Sequence, residues 1–206
     1  MTRGDVVHVV DDDAAVRSSI AFLLGSAGLE VAVHATAEAF LRAAEAAPVG
    51  CVLTDVRMPG LGGLELQMRL LALGWQVPLV VITGHGDVPT AVQALKDGAL
   101  DFLEKPFDDA QLLDAVQRAL AAGRALRTSR ANAEAAARRL AALTPREREE
   151  LDGMVAGRAS KQIALDLGAS PRTIEVHRLR VMEKLQVHNL PELVRLVQAA
   201  TPDRPV

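Results

Sequence analysis

A chain of 206 residues, half of them hydrophobic and 24% charged, is long enough for one or two globular domains with ordinary cores. Asp5 and the run Asp11-Asp12-Asp13 exclude a secretory signal at the N-terminus, and no apolar run reaches the roughly 18 residues that span a bilayer, so a cytoplasmic protein without a membrane partner is expected. The net charge of −3 splits into 8 Lys/Arg against 16 Asp/Glu in residues 1–122 and 15 against 10 in 123–206, which pairs an acidic module with one able to approach a polyanion.

Short apolar strand patterns alternate with amphipathic helical ones over residues 6–122. Strands are predicted at 6–10 (VVHVV), 29–34 (LEVAVH), 51–54 (CVLT), 79–83 (LVVIT) and 100–104 (LDFLE). Helices are predicted at about 14–25, 37–46, 64–73, 90–97 and 109–122, with Thr36 and Asp108 as N-caps. The near-continuous apolar character of several strands suits a parallel sheet covered on both faces. Five such units imply an α/β, doubly wound, flavodoxin-like sheet in the order 2-1-3-4-5, with right-handed crossovers. The single cysteine, Cys51, excludes an internal disulfide and a cysteine-based zinc site, and reads as a small buried hydrophobe.

Residues 120–142, rich in Ala and Arg, read as an exposed or linking helix that continues the fifth one. Ala119, Leu126, Ala133 and Leu140 recur every seven residues, as in a coiled-coil seam, but Ala122, Arg130 and Ala137 do not complete it, so a plain linker helix is favoured. Four short helical patterns follow, at 143–157, 159–168, 170–185 and 190–200. The first opens with Thr144, Pro145 and Glu147 in capping-box order. The boundaries expected are thus 1–122, a linker over 123–142, and a small all-α domain over 143–206.

Ligands of doubly wound sheets bind beyond the carboxyl ends of the strands, where the strand order reverses. At those ends stand Asp11-Asp12-Asp13, Asp55, Thr83 and Lys105. Clustered carboxylates repel unless a cation intervenes, and an all-oxygen set suits a hard divalent ion, most simply Mg²⁺ with retained waters. Asp13 reads better as a helix N-cap than as a ligand. A Lys ammonium and a Thr hydroxyl suit the charge and acceptor oxygens of a phosphoryl group, toward which Asp55 can act as nucleophile. The Lys105-Pro106 bond is one that can be cis and so aim the Lys inward. A dehalogenase-type phosphatase would need a second Asp two residues after the first, and Arg57 stands there.

The motifs VVDDD, TDVRMPG, VVITGHGD and DFLEKPF, in that order and spacing, resemble a two-component receiver domain, with wording similar to the FixJ subgroup. The resemblance implies that Asp55 accepts phosphate from a sensor histidine kinase. It implies that Asp11, Asp12, Asp55 and the backbone carbonyl of Arg57 hold Mg²⁺, and that Thr83 and Lys105 contact the phosphoryl group. Phe102, which read alone is a core aromatic, matches the switch aromatic of the family. Pro59 and Gly62 fit the loop after the acceptor, and His85 is not expected to be a ligand.

In the second module, SKQIALDLGAS places Ile163, Ala164 and Leu167 on one packing stripe, and Gly168 permits a turn into the next helix. That helix presents Arg172, Thr173, Glu175, Val176, Arg178, Arg180 and Lys184, with Ile174, Leu179 and Met182 expected on another, packed face. Ser160 and Thr173 lie at helix starts able to meet phosphates. LTPRERE, SKQIALDL and SPRTIEVHRLRVMEKL resemble the LuxR/FixJ-type DNA-binding domain over 143–200. The resemblance implies that 171–185 enters the major groove of double-stranded DNA. Ser160, Lys161, Arg172, Thr173, Arg180 and Lys184 belong to the expected contact set, and Glu175, Val176 and Arg178 or Leu179 reach bases. Glu175 can accept from cytosine N4 and repels phosphate.

The function expected is a phosphorylation-controlled transcription regulator, an activator, rather than an enzyme beyond its own phosphoryl transfer and slow dephosphorylation. Phosphate on Asp55 would draw Thr83 and Phe102 inward and repack the face of helix 4, strand 5 and helix 5 into a homodimer, with RNA polymerase as a further partner. The alternative is a DNA-binding regulator whose receiver acts without phosphorylation or is gated by a ligand.

Overall fold

The computed structural model describes residues 5–45, 49–84 and 88–200. The chain forms two compact units, residues 1–126 and 127–206. His85 lies outside the described residues.

In the first unit β1 (Val7–Val10), β2 (Val31–His34), β3 (Cys51–Asp55), β4 (Leu79–Thr83) and β5 (Asp101–Glu104) form one sheet in the order β2-β1-β3-β4-β5. Every pairing is parallel. Between and after the strands run α1 (Ala14–Ser26), α2 (Ala37–Ala44), α3 (Gly63–Ala72), α4 (Val88–Lys96) and α5 (Asp109–Ala141).

Alternation within each apolar run divides the core. Val7, Val9, Cys51, Leu53, Val80, Ile82 and Leu103 point to one layer, with Ile20 and Leu24 of α1 and Leu112 and Val116 of α5. Val10, Val52 and Val81 point to the other, with Phe40 of α2, Leu66 and Leu70 of α3 and Ala94 of α4. Both faces are covered, which is why the strands carry no clean polar alternation. On the second layer His8 and His34 stack with their rings 8° from parallel, and Phe40 meets both edge-on. Gln67 of α3, itself buried, donates from Nε2 to the Ala94 carbonyl of α4 at 3.0 Å.

Local sequence sets the helix starts. Thr36 Oγ1 accepts from Ala39 N–H, and Asp108 Oδ1 accepts from Gln111 N–H at 2.7 Å while Gln111 Oε1 accepts from Asp108 N–H at 3.3 Å. α5 continues through the expected linker helix to Ala141. Ala119 is buried in the sheet unit's core and Leu140 in the core of the second unit, so two residues of the sevenfold stripe are used inside the chain. That stripe is therefore not a free coiled-coil seam.

The second unit holds the end of α5 with α6 (Pro145–Val155), α7 (Ser160–Asp166), α8 (Pro171–Lys184) and α9 (Leu190–Ala200). Thr144 and Glu147 form the expected capping box on α6. Leu151, Met154, Ile163, Ala164, Ile174, Val181, Leu185 and Leu193 make its core. Fully burying such a side chain contributes about 1.5–3 kcal/mol each. Gly168, at φ +62°, makes the turn between α7 and α8, and Ser170 caps α8 by accepting from Thr173 N–H at 3.1 Å.

Candidate functional site

The pocket at the carboxyl ends of the strands is assembled by ladder bonds that outlast the strands themselves. Asp11 N–H donates to the His34 carbonyl at 3.2 Å, Val56 N–H to Ile82 at 2.9 Å, and Lys105 N–H to Thr83 at 2.7 Å. These fix the backbone of Asp11, Asp55 and Lys105 with strand-like precision although two of the three lie just past a strand.

The side chains then converge. Lys105 Nζ donates to Asp11 Oδ2 at 3.0 Å and to Asp55 Oδ2 at 3.1 Å. Burial pulls the Lys105 pKa down, but its hydrogen bonds and charge attraction to Asp11 and Asp55 outweigh this, and the net shift is upward. Asp11 is 1% exposed, Asp55 half-buried and Asp12 open to solvent. One carboxylate oxygen from each of these three residues can be taken such that all lie within 4.8 Å of one another. Three hard oxygen donors so close, with two of the residues beside a single ammonium, fit a small divalent cation such as Mg²⁺.

Asp13 is diverted from this group. Its Oδ1 accepts from Ala15 N–H at 2.7 Å as the N-cap of α1, and its own N–H donates to Asp11 Oδ1 at 2.8 Å. Thr83 closes β4, 1% exposed, with its hydroxyl donating to the Gly84 carbonyl at 3.2 Å. Phe102, beside Val81 in the β4–β5 register, is half-buried against the second core layer. Arg57 lies exposed in the turn after β3. The Lys105-Pro106 bond is cis.

Two contributors escaped the sequence reading. Arg17 of α1 donates from Nη1 to the Asp11 carbonyl at 2.6 Å. Gly63 packs so closely under Asp55 that a Cβ there would collide with the Asp55 carbonyl oxygen. The pair Gly62-Gly63 was the available signal, since adjacent glycines at a helix start mark a close backbone approach.

In the second unit, α8 exposes Arg172, Thr173, Glu175, Val176 and Arg180 on its outer surface, with Arg178 half-buried. Leu179 does not pack as expected: it is 70% exposed, and Val181 takes the core position. The helix turns its core stripe through Ile174, Val181 and Leu185, and residue 179 falls off that stripe. Lys184 is drawn to Glu147 of α6 at 2.7 Å, and this contact is the largest cause of a Glu147 pKa lowered to about 2. Ser160 opens α7, but the N-cap is Ala159 and no side chain caps that helix; Lys161 is exposed beside it. Also unforeseen is a contact between α6 and α8, in which Glu150 pairs with His177 at 2.7 Å.

The response regulator receiver domain model matches residues 7–117, and the model of bacterial regulatory proteins of the luxR family matches 141–197. The chain is 53% identical to the transcriptional regulatory protein FixJ of Azorhizobium caulinodans over 94% of its length and 92% of that protein. Among solved structures, it is similar to the response regulator StyR, with TM-score 0.79 and 41% identity over 94% of this chain and 98% of that one. It is also similar to full-length FixJ from B. japonicum, with TM-score 0.60 and 47% identity over 98% and 100%. With a receiver on its parallel sheet and a luxR-type module on its C-terminal helices, the chain belongs to the FixJ-type response regulators, transcription regulators that bind DNA under the control of phosphorylation.

Proposed function

We propose that Asp55 is the phosphoacceptor and that its donor is the phosphohistidine of a sensor histidine kinase. The observation that carries this is the convergence of Asp11, Asp12, Asp55 and Lys105 at one end of the sheet, with Asp55 half-buried among them. An Asp55 carboxylate oxygen forms the new bond to phosphorus as the phosphorus–nitrogen bond breaks. The electron pair stays with the nitrogen that held phosphorus, and the ring's other nitrogen keeps its proton, so the kinase histidine departs as neutral imidazole. Asp11, Asp12, Asp55 and the Arg57 carbonyl would hold Mg²⁺, which would supply neutralising charge to the phosphoryl oxygens.

The chain's own residues do the rest. Lys105 exchanges its bond to Asp55 for one to the phosphoryl group, and the Thr83 hydroxyl leaves the Gly84 carbonyl to donate to it. The inward move of Thr83 lets Phe102 turn in. The face of α4, β5 and α5 then favours a homodimer whose two α8 helices read DNA half-sites, with Arg172, Thr173, Arg180 and Lys161 on phosphates and Glu175, Val176 and Arg178 or Leu179 at base edges. Activation of transcription follows by contact with RNA polymerase. The domains so used are a receiver over 1–122, a helical linker over 123–142 and a DNA-binding domain over 143–206. Family membership does not favour a receiver that works without phosphorylation.

The test is direct. Incubated with Mg²⁺ and acetyl phosphate, the wild type gains the mass of one phosphoryl group and Asp55→Asn gains none. Equal uptake by Asp55→Asn, or no uptake by wild type, overturns the assignment.

A further inference from the structure

Glu150 is the one fully buried polar side chain among the described residues of the second unit. Its Oε1 lies 2.7 Å from His177 Nδ1, and its Oε2 is buried without a hydrogen-bond partner. A lone carboxylate charge in that place is costly, and a cationic neighbour removes most of the cost. The imidazole of His177 is in position to be that cation.

Several other charged groups on the packed helices are engaged elsewhere. On α6, Glu147 binds Lys184 of α8, Arg148 donates to the Leu140 carbonyl and Arg146 pairs with Glu149. Asp166 of α7 pairs with Arg158, and Glu192 of α9 accepts from His188 N–H. Asp152 of α6 and Arg195 of α9 complete the charged set on those two helices within the described residues, and α8 itself adds Arg172, Glu175, Arg178, Arg180 and Glu183.

His177 sits on α8 between Val176, which is 44% exposed, and Arg178, and its ring remains 35% exposed. With Nδ1 turned to Glu150, a neutral ring donates there and leaves Nε2 an acceptor, which repels a phosphate oxygen. A protonated ring donates at both ends. A carboxylate behind the ring and a phosphate in front therefore both select the imidazolium.

We propose that Glu150 is a positioning residue that holds His177 as an imidazolium whose Nε2–H donates to a DNA phosphate, so that one backbone contact of α8 depends on a proton. This rests on the reading that α8 faces DNA. Because the phosphate contact needs a proton on the ring, affinity falls as pH rises.

The full chain, treated with Mg²⁺ and acetyl phosphate, is titrated with a short mixed-sequence DNA duplex. Between about pH 6 and pH 8 the wild-type affinity falls roughly tenfold, and the slope of log affinity against log salt loses about one unit, the signature of one phosphate contact. Glu150→Gln keeps an acceptor for Nδ1 but not the charge, so its loss of affinity sets in at lower pH than in the wild type, whereas His177→Gln has no ring to protonate and stays flat over that range. Wild-type pH dependence in either variant overturns the proposal.

Arg180→Ala separates the two levels. Unchanged binding at every pH removes α8 from the DNA face. Uniform weakening, with the pH dependence surviving in His177→Gln, defeats the role of His177 alone. Should Glu150→Gln fail to fold, ring shifts of His177 in the wild type decide the matter: no proton uptake on addition of DNA overturns the proposal.

Discussion

Lys105 and Gly63 set the pocket by opposite means. Lys105 supplies the cation that lets Asp11 and Asp55 stand 3.0 and 3.1 Å from one ammonium. Gly63 supplies nothing but space under the Asp55 carbonyl. Gly63→Ala must push either α3 or the end of β3 aside, a small-to-large change that costs about 1–3 kcal/mol in a packed site. Trp75, the single tryptophan, packs against the same core layer and reports urea unfolding of that unit. The expected result is a lower urea midpoint with slower uptake of phosphate from acetyl phosphate; a wild-type midpoint would show that the approach is not rigid. At this scale the sequence was readable wherever chemistry sits at a strand end, because period and order place Asp11, Asp55, Thr83 and Lys105 together. Gly63, Arg17 and the pair Glu150–His177 were not readable. Each depends on how closely two separate segments approach, which no local pattern encodes.

Caps and stripes explain most element boundaries, and where they failed the reason is tertiary. Thr36, Asp108 and Thr144 start helices as their side chains dictate. α5 runs through the expected linker as one helix, and its Ala-rich continuation brings Leu140 into a second core. Leu179 is assigned by helical spacing to the packed face of α8, as well as named as an alternative base contact, yet it is exposed and the core stripe passes through Val181 instead. The capping box of α6 carries a further load, since Glu147 serves both Thr144 N–H at 2.8 Å and Lys184 of α8. Lys184 first, and then the Thr144 N–H, hold its carboxyl at about 2 rather than 4.5. A lowered folded-state value means that this stabilisation is complete above about pH 4.5 and is lost as pH falls toward 2. Glu147→Gln keeps the cap acceptor and loses the charge. The stability gap between wild type and Glu147→Gln, followed in urea by the methyl signals of Ile163 and Ile174, is expected to be largest near neutral pH and to close by about pH 2. A gap independent of pH would assign Glu147 to capping alone.

For the whole molecule, charge and structure divide the chain alike. The acidic stretch holds the parallel sheet, and the basic one holds the helices that resemble a DNA-binding module. Each unit has its own core. Calorimetry of the full chain should therefore resolve two unfolding transitions. Mg²⁺ should raise only the one that coincides with the change in Trp75 fluorescence, since a ligand stabilises the unit that binds it. A single transition, or a shift of both, would contradict independent cores or the placement of the cation site. The bridge from Lys105 to Asp11 and Asp55 reaches further than the pocket. On the proposed reading, the receiver carries a tethered counter-ion, so depletion of divalent cations silences signalling before it threatens the fold. Such a regulator persists through scarcity as an idle stock and regains competence when the ions return, without new synthesis.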